Sequence, residues 1–421
     1  MKFLYITLFV LFFILFSLFA FINIEQNNIK IGLLYSKTGT MSAEESSIYK
    51  AVTFAVEQIN QNGGVLNKQI EVIPYDGASD PKEFKKGATE LITKYDIDTI
   101  FGCWTSSSRK EVKDVVENYN KVLFYPVQYE GVESSKNIIY LGSTPNQQIN
   151  PTLSYIKQTY GPKVYLVGSD YIYPRIANDY IKALSKYIGL EIIGEQYKIL
   201  GERNFKKIID DIEDKKPDVI INTLNGSSNE SFFKSLYENN ISSSNTPVFS
   251  FSLDENSVRD IAKKIDIKTL VGQYGSWNYF NSIKNSENEK LKNDLQKRWG
   301  KEFILTDASY SAYMGVKLWA KSVEHAKSYK SEDILQNIKR DGLTYIDGML
   351  YINGQNNHAH RGMKIGKIDK NGQFNIVWES DGIIDPNPYP KFKSKQFWKD
   401  IQQKYYKQWD SSWENSGGAN E

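Results

Sequence analysis

A strand–helix rhythm constrains this chain most. From Asn28 onward, short apolar runs alternate with amphipathic stretches. Residues 29–35 (IKIGLLY) read as a strand, and 46–60 carries Ile48, Ala51, Val52, Ala55, Val56 and Ile59 at helical spacing. Asn62-Gly63-Gly64 supplies the left-handed stop that such a helix needs. Strands at 69–75, 99–101 and 122–125 then alternate with helices at 81–94 and 109–120. After Pro145 the rhythm restarts, with strands at 163–168, 190–197, 218–223, 248–252 and 270–274 and helices at 173–188, 205–214 and 231–239. Repeated strand–helix–strand units imply parallel sheets covered by helices on both faces, here two doubly wound α/β halves. Ligands in such sheets bind beyond the carboxyl ends of the strands. The loops Gly102–Ser106, Tyr125–Gln128 and Gly168–Tyr171 lie at such ends and can face one cleft.

The ends of the chain read differently. Residues 3–22 are apolar after a single lysine, and about 20 such residues suffice to cross a hydrocarbon core. The small-x-small cleavage pattern is poor, because Leu18 precedes Ala20, and no cysteine follows to accept a lipid. An uncleaved anchor is therefore favoured over a cleaved signal, and either exports the remainder. Residues 349–354 and 363–369 alternate like strands, and Asn371-Gly372 makes a hairpin turn before 374–378. Beyond Pro390 the chain turns polar and aromatic, and 411–421 is expected to be disordered.

The stretch Phe101-Gly-Cys-Trp-Thr-Ser-Ser-Ser-Arg-Lys110 sets a tryptophan and four consecutive hydroxyls at a strand end. A surface loop does not need the ring and a core does not favour the hydroxyls, so a small polar ligand is one reading. Ser107 and Ser108 are expected to cap the helix that follows. Arg109-Lys110 is assigned to its solvated face or to structural pairing, and Asn225-Gly226 either to the site or to a turn. A net charge of +2 without a basic stripe argues against nucleic acid. The single cysteine excludes an intrachain disulfide. As a nucleophile, Cys103 would need an activating base that spacing does not supply, so a Cys-dependent amidase is only a distant alternative. His358-Ala-His360 is too small a set for zinc and reads as structural. No cofactor, metal or catalytic residue is expected.

The motifs Gly102-Cys-Trp-Thr-Ser106 with Arg109-Lys110, Tyr125-Pro-Val-Gln-Tyr-Glu-Gly131, Pro145-Asn-Gln147 and Asp170-Tyr-Ile-Tyr-Pro174 occur in order. Together they resemble the urea-binding component of urea ABC transporters, a family related to the short-chain amide-binding sensor. That resemblance implies the type 1 periplasmic binding protein fold, with two Rossmann-like lobes joined by three crossovers near Thr144-Pro145, Gly272–Gly275 and Leu350. Lobe 1 would comprise 28–144 and 274–350, and lobe 2 would comprise 145–273 and 351–390. Residues 1–26 would be signal or anchor, and 391–421 a polar tail. It further implies a ligand site of Trp104, Thr105, Ser106, Tyr125, Val127, Gln128, Tyr171, Tyr173, Asn225 and Glu255. Thr105 and Ser106 would meet a carbonyl oxygen; the Gln128 side chain, a backbone carbonyl near Val127 or Asn225, and Glu255 would accept N–H groups; and the aromatic rings would wall a flat ligand. The expected function is extracytoplasmic capture of urea or a short-chain amide, with delivery to ABC permease subunits in the membrane. The alternative is a membrane-tethered sensor signalling to a partner such as a histidine kinase.

Overall fold

The computed structural model describes residues 28–346 and 348–416. The expected signal or anchor, 1–26, lies outside them, and among the described residues no helix is long and apolar enough to cross a membrane. The first sheet contains β1 (Ile29–Tyr35), β2 (Ile70–Asp76), β3 (Thr99–Gly102), β4 (Val122–Tyr125) and β5 (Ile138–Tyr140), ordered β2-β1-β3-β4-β5 and wholly parallel. Between them run α1 (Ser42–Gln61), α2 (Pro81–Tyr95) and α3 (Ser106–Asn118). The order reverses between β1 and β3, which opens a crevice where Ser36 and Cys103 leave the sheet.

The second half begins with α4 (Pro145–Thr159), whose start the sequence marks strongly. Pro145 follows a Thr144 cap, and Gln147 reaches back 2.9 Å to the Thr144 amide. Its sheet contains β6 (Lys163–Ser169), β7 (Glu191–Lys198), β8 (Val219–Thr223), β9 (Val248–Ser250) and β10 (Tyr274–Trp277), all parallel. The connecting helices are α5 (Ile172–Ile188), α6 (Lys206–Lys215), α7 (Ser228–Glu238) and α8 (Glu255–Ala262). Strands alternate their side chains between faces, so Leu166 and Ile221 pack with Ile176 and Trp398, while Val167 and Ile220 pack with Ile209 and Phe232. This sheet reverses between β6 and β8, and its crevice lies beside Tyr171 and Asn225.

The chain then returns to the first sheet with α9 (Ser286–Trp299), α10 (Asp307–Ala326) and α11 (Ser331–Asn337), where Val316 and Trp319 of α10 join the core of Ile31, Ile100 and Phe124. A hairpin, β11 (Gly342–Tyr345) and β12 (Gly348–Tyr351), precedes β13 (Lys364–Ile368) and β14 (Phe374–Glu379). β13 and β14 are antiparallel and extend the second sheet from β10.

The first crossing, residues 141–144, falls where the resemblance puts it; the other two require correction. Tyr274–Trp277 pairs with β9 and β13, so it belongs to the second sheet and the chain crosses only after Trp277. The third crossing follows Ala359, not Leu350, because Tyr140 takes backbone hydrogen bonds with Asn357 and Ala359 at the edge of the first sheet. The expectation of a disordered tail also fails within the described residues. Trp398 of α12 (Lys395–Gln408) and Trp409 just after it are buried against the second half, and residues 413–415 pair with 170–172. The aromatic content that marked this segment is what docks it.

Candidate functional site

All ten residues expected at the site end up buried, none more than 7% exposed, at the carboxyl ends of β3, β4, β6, β8 and β9 or in the loops and first helical turns that follow them. Hydrogen bonds at these loops cross directly between the halves. Trp104 Nε1 donates to Asn225 Oδ1 at 3.4 Å, and Gln128 Nε2 donates to the Phe251 carbonyl at 2.6 Å. The Tyr173 ring centroid is 6.2 Å from that of Tyr171. Asn225 is held by Ser169, whose Oγ accepts the Asn225 amide at 3.0 Å, so it is more than the turn that Asn225-Gly226 suggests.

The hydroxyl loop divides its labour differently from the expectation. Thr105 caps α3, accepting the Ser108 amide at 3.1 Å; capping thus falls to Thr105 and not to Ser107 or Ser108. Ser106 Oγ donates to Glu130 Oε2 at 2.5 Å and accepts from Arg109 Nη1 at 2.7 Å. Both bonds tie its hydroxyl to the protein. The first-turn amides of Ser106 and Ser107 have no partner within the helix and point out of its N-terminus.

Arg109 is no solvated residue. It is fully buried, 2.9 Å from Glu130 and 3.0 Å from Glu133, while Lys110 lies 2.9 Å from Glu133. The Arg109 guanidinium also covers the faces of Tyr125 and Tyr129 at 4.9 and 4.6 Å. Tyr125 donates to the Trp104 carbonyl at 2.7 Å, so the network fixes the Trp104 loop from below. Burial alone would raise the Glu133 carboxyl, but Arg109 and Lys110 hold it well below the usual range. The sequence signal for this network was opposite charge, Arg109-Lys110 against Glu130 and Glu133, across one strand.

A second group of carboxyls went unread. Glu44 and Glu45 open α1, and Asp254 caps α8 ahead of Glu255; all four are buried. One oxygen each of Glu44, Asp254 and Glu255 has no hydrogen-bond partner, and neither has Gln128 Oε1. The other oxygen of Glu255 accepts the Asn281 amide at 2.8 Å. Burial pushes Glu44, Glu45 and Glu255 up to about 8, and Asp254 adds to the rise at Glu44 and Glu255. Acidic residues in a first helical turn are common for dipole reasons, so nothing local to these residues signals their burial.

These shifts predict a pH dependence. A carboxyl that binds its proton more tightly when folded stabilises the fold most fully below its unfolded value of 4.5 and loses that contribution as the pH climbs through about 8. Glu133 acts oppositely, its contribution being lost as the pH falls below 4.5. The ligand-free protein should melt highest near pH 5 and progressively lower toward pH 8, by at most about 1.4 kcal/mol per pH unit for each raised group. Glu255→Gln should flatten the alkaline limb; a melting temperature that rises from pH 5 to 8 would contradict the assignment.

Cys103 is fully buried and leaves β3 with φ +71°, and burial pushes its thiol far up, so it stays protonated and cannot serve as an amidase nucleophile. His358 stacks on Tyr140 at 4.1 Å and meets the Tyr129 hydroxyl at 2.5 Å, with burial lowering it to about 3. It is a neutral packing element. Among the described residues no set of three ligand-type side chains could hold a metal ion.

A family profile described as a periplasmic binding protein domain matches residues 29–395. Curated relatives include a protein named limonene hydroxylase from Geobacillus stearothermophilus, 27% identical over 121 residues, covering 29% of this chain and 22% of its own length. The Leu/Ile/Val-binding protein BraC3 from Rhizobium johnstonii is 24% identical over 206 residues, covering 48% of this chain and 56% of its own. The alignments therefore span little more than half of these relatives at most. An R. palustris ABC-transporter solute-binding protein, solved in complex with 4-hydroxybenzoate, superposes with a TM-score of 0.76 at 20% identity, over 84% of this chain and 97% of that one. At that identity the likeness concerns the fold, that of type 1 periplasmic binding proteins.

Proposed function

Because the chain belongs to the periplasmic binding protein domain family, we propose that it captures urea, or a short-chain amide, between its two lobes and passes it unaltered to an ABC permease. The observation that carries this reading is a set of buried polar atoms without a hydrogen-bond partner, Gln128 Oε1, Glu255 Oε2, Glu44 Oε2 and Asp254 Oδ2. An unsatisfied buried polar atom costs roughly 1–3 kcal/mol, so a ligand rich in N–H groups relieves several such penalties at once. Urea offers four N–H groups in one plane and a single carbonyl oxygen. The Ser106 and Ser107 amides suit that oxygen, Gln128 and Glu255 suit the N–H groups, and Trp104, Tyr171 and Tyr173 suit the flat faces. Thr105, Tyr125 and Val127 shape the loops that present these groups. A carboxylate ligand, such as the benzoate of the solved relative, suits this lining less well. Arg109 and Lys110, which could pair with such a carboxylate, are already taken by Glu130 and Glu133.

The apolar segment 3–22 favours a membrane-tethered form at the extracytoplasmic face. A tether serves delivery to permease subunits and equally a sensing role beside a kinase. Calorimetric titration of the full chain with urea, formamide, acetamide, thiourea, 4-hydroxybenzoate and leucine tests the proposal. Urea or an amide should bind without ammonia release. Binding of 4-hydroxybenzoate or leucine alone would overturn it.

A further inference from the structure

The C-terminal residues that follow α12 connect the two halves at the mouth of the site. Trp409 is buried in the second half, and Trp413 packs on Tyr406 of α12 with centroids 4.5 Å apart. From there the chain runs antiparallel to the loop after β6. The Trp413 carbonyl accepts the Ile172 amide at 3.0 Å, the Asn415 amide donates to the Asp170 carbonyl at 3.0 Å, and Asn415 Nδ2 donates to Asp170 Oδ2 at 2.8 Å. Glu414 stands opposite Tyr171 in this pairing. Its side chain reaches the other half, where Glu414 Oε2 accepts from Ser107 Oγ at 2.9 Å. Beside it the Lys110 ammonium lies 4.7 Å over the Trp413 ring, and Lys110 Nζ also reaches Gln402 Oε1 of α12 at 3.1 Å. The contacts of residues 410–416 with the second half are backbone ladder and buried aromatics; among the described residues, theirs with the first are the Ser107–Glu414 hydrogen bond and the Lys110–Trp413 cation–π contact, while Gln402 of α12 adds bonds to Lys110 and to the Val132 carbonyl. A firm attachment on one side and two polar contacts on the other describe a latch that can let go of one jaw.

We propose that residues 410–416 latch the lobes together, with Glu414 as a positioning residue that links Tyr171 in one lobe to Ser107 in the other. Insofar as Tyr171 walls the ligand, this rests on the site proposed above, but the latch itself does not depend on which solute binds. Its loss should free the lobes to part and speed the release of whatever is held.

The test uses the full chain with spin labels on Lys86→Cys and Lys206→Cys, exposed positions in the two halves; native Cys103 is buried and will not compete. Electron–electron distance measurement without ligand reads lobe separation directly. A shift to longer or broader distances is expected for Glu414→Ala and Ser107→Ala. Glu414→Gln, which still accepts from Ser107, should keep the parent distribution, and none of the three should move the melting temperature by more than a degree or two. A chain ending at Trp409 should open at least as far as Glu414→Ala. If that chain unfolds, the two point variants decide alone. Distances unchanged in Glu414→Ala and Ser107→Ala would overturn the latch, whatever the calorimetry with urea gives. Open distances together with no urea or amide binding would instead sustain the latch and overturn the ligand assignment.

Discussion

Arg109→Ala should destabilise the protein by roughly 3–5 kcal/mol, the range seen when one partner of a buried ion pair is removed. Glu130 and Glu133 would be left charged in a site where Arg109 supplies contacts at 2.9 and 3.0 Å, and Ser106 would lose its second bond. Lys110 remains for Glu133 but is 3.9 Å from Glu130, too far to compensate fully. Domains of this kind have a total stability of about 5–15 kcal/mol, so chemical denaturation should show a large fall in midpoint. Neutralising both acids in the same background (Arg109→Met with Glu130→Gln and Glu133→Gln) should recover much of the loss, because the penalty lies in the orphaned charge. A loss below about 1 kcal/mol for Arg109→Ala, the scale of a surface ion pair, would show that the network is hydrated and weak.

The second large effect concerns a glycine. A Cβ on Gly142 would lie 2.1 Å from the Val127 carbonyl carbon, 2.2 Å from its oxygen and 2.3 Å from the Gln128 nitrogen. These are backbone atoms and cannot rotate away, so Gly142→Ala must push the Val127–Gln128 loop out of place. Overpacking of this sort costs typically about 1–3 kcal/mol. Here the displaced residue is also the one that spans the cleft to the Phe251 carbonyl. Affinity for the solute should fall at least tenfold, about 1.4 kcal/mol, alongside the thermal loss. Gly354→Ala is the control, since nothing lies within 4 Å of its Cβ. Calorimetry and thermal melting of the pair would read both effects, and unaltered binding by Gly142→Ala would show that the loop's position is not critical.

Periodicity made the architecture legible where it was strong. Ile29–Tyr35 carries the apolar pattern and forms as read, whereas the helix Pro145–Thr159 is absent from the periodicity reading although Thr144-Pro145 and Gln147 mark its start. The order of elements put the loops Gly102–Ser106, Tyr125–Gln128 and Gly168–Tyr171 at strand ends, whereas Asn225, which meets Trp104 across 121 residues of sequence, entered only through the family resemblance. What escaped were matters of tertiary neighbourhood. Nothing local distinguishes the buried Arg109 from an exposed helix arginine; only the distant Glu130 and Glu133 do. Likewise Glu44 looks like an ordinary first-turn acid until Asp254 is brought against it. The segment after Pro390 was judged by its polarity, yet Trp398, Trp409 and Trp413 supply enough ring surface to anchor it.

The late strands impose an order on synthesis. β10 keeps an open edge until β13 and β14, residues 364–379, lie against it, and the first sheet lacks one cover until α10, residues 307–326, is made. A chain growing from its N-terminus can therefore seal neither core before some three-quarters of it exists. Such a polypeptide stays threadable through a narrow pore for most of its production, which suits a product that matures on the far side of a membrane.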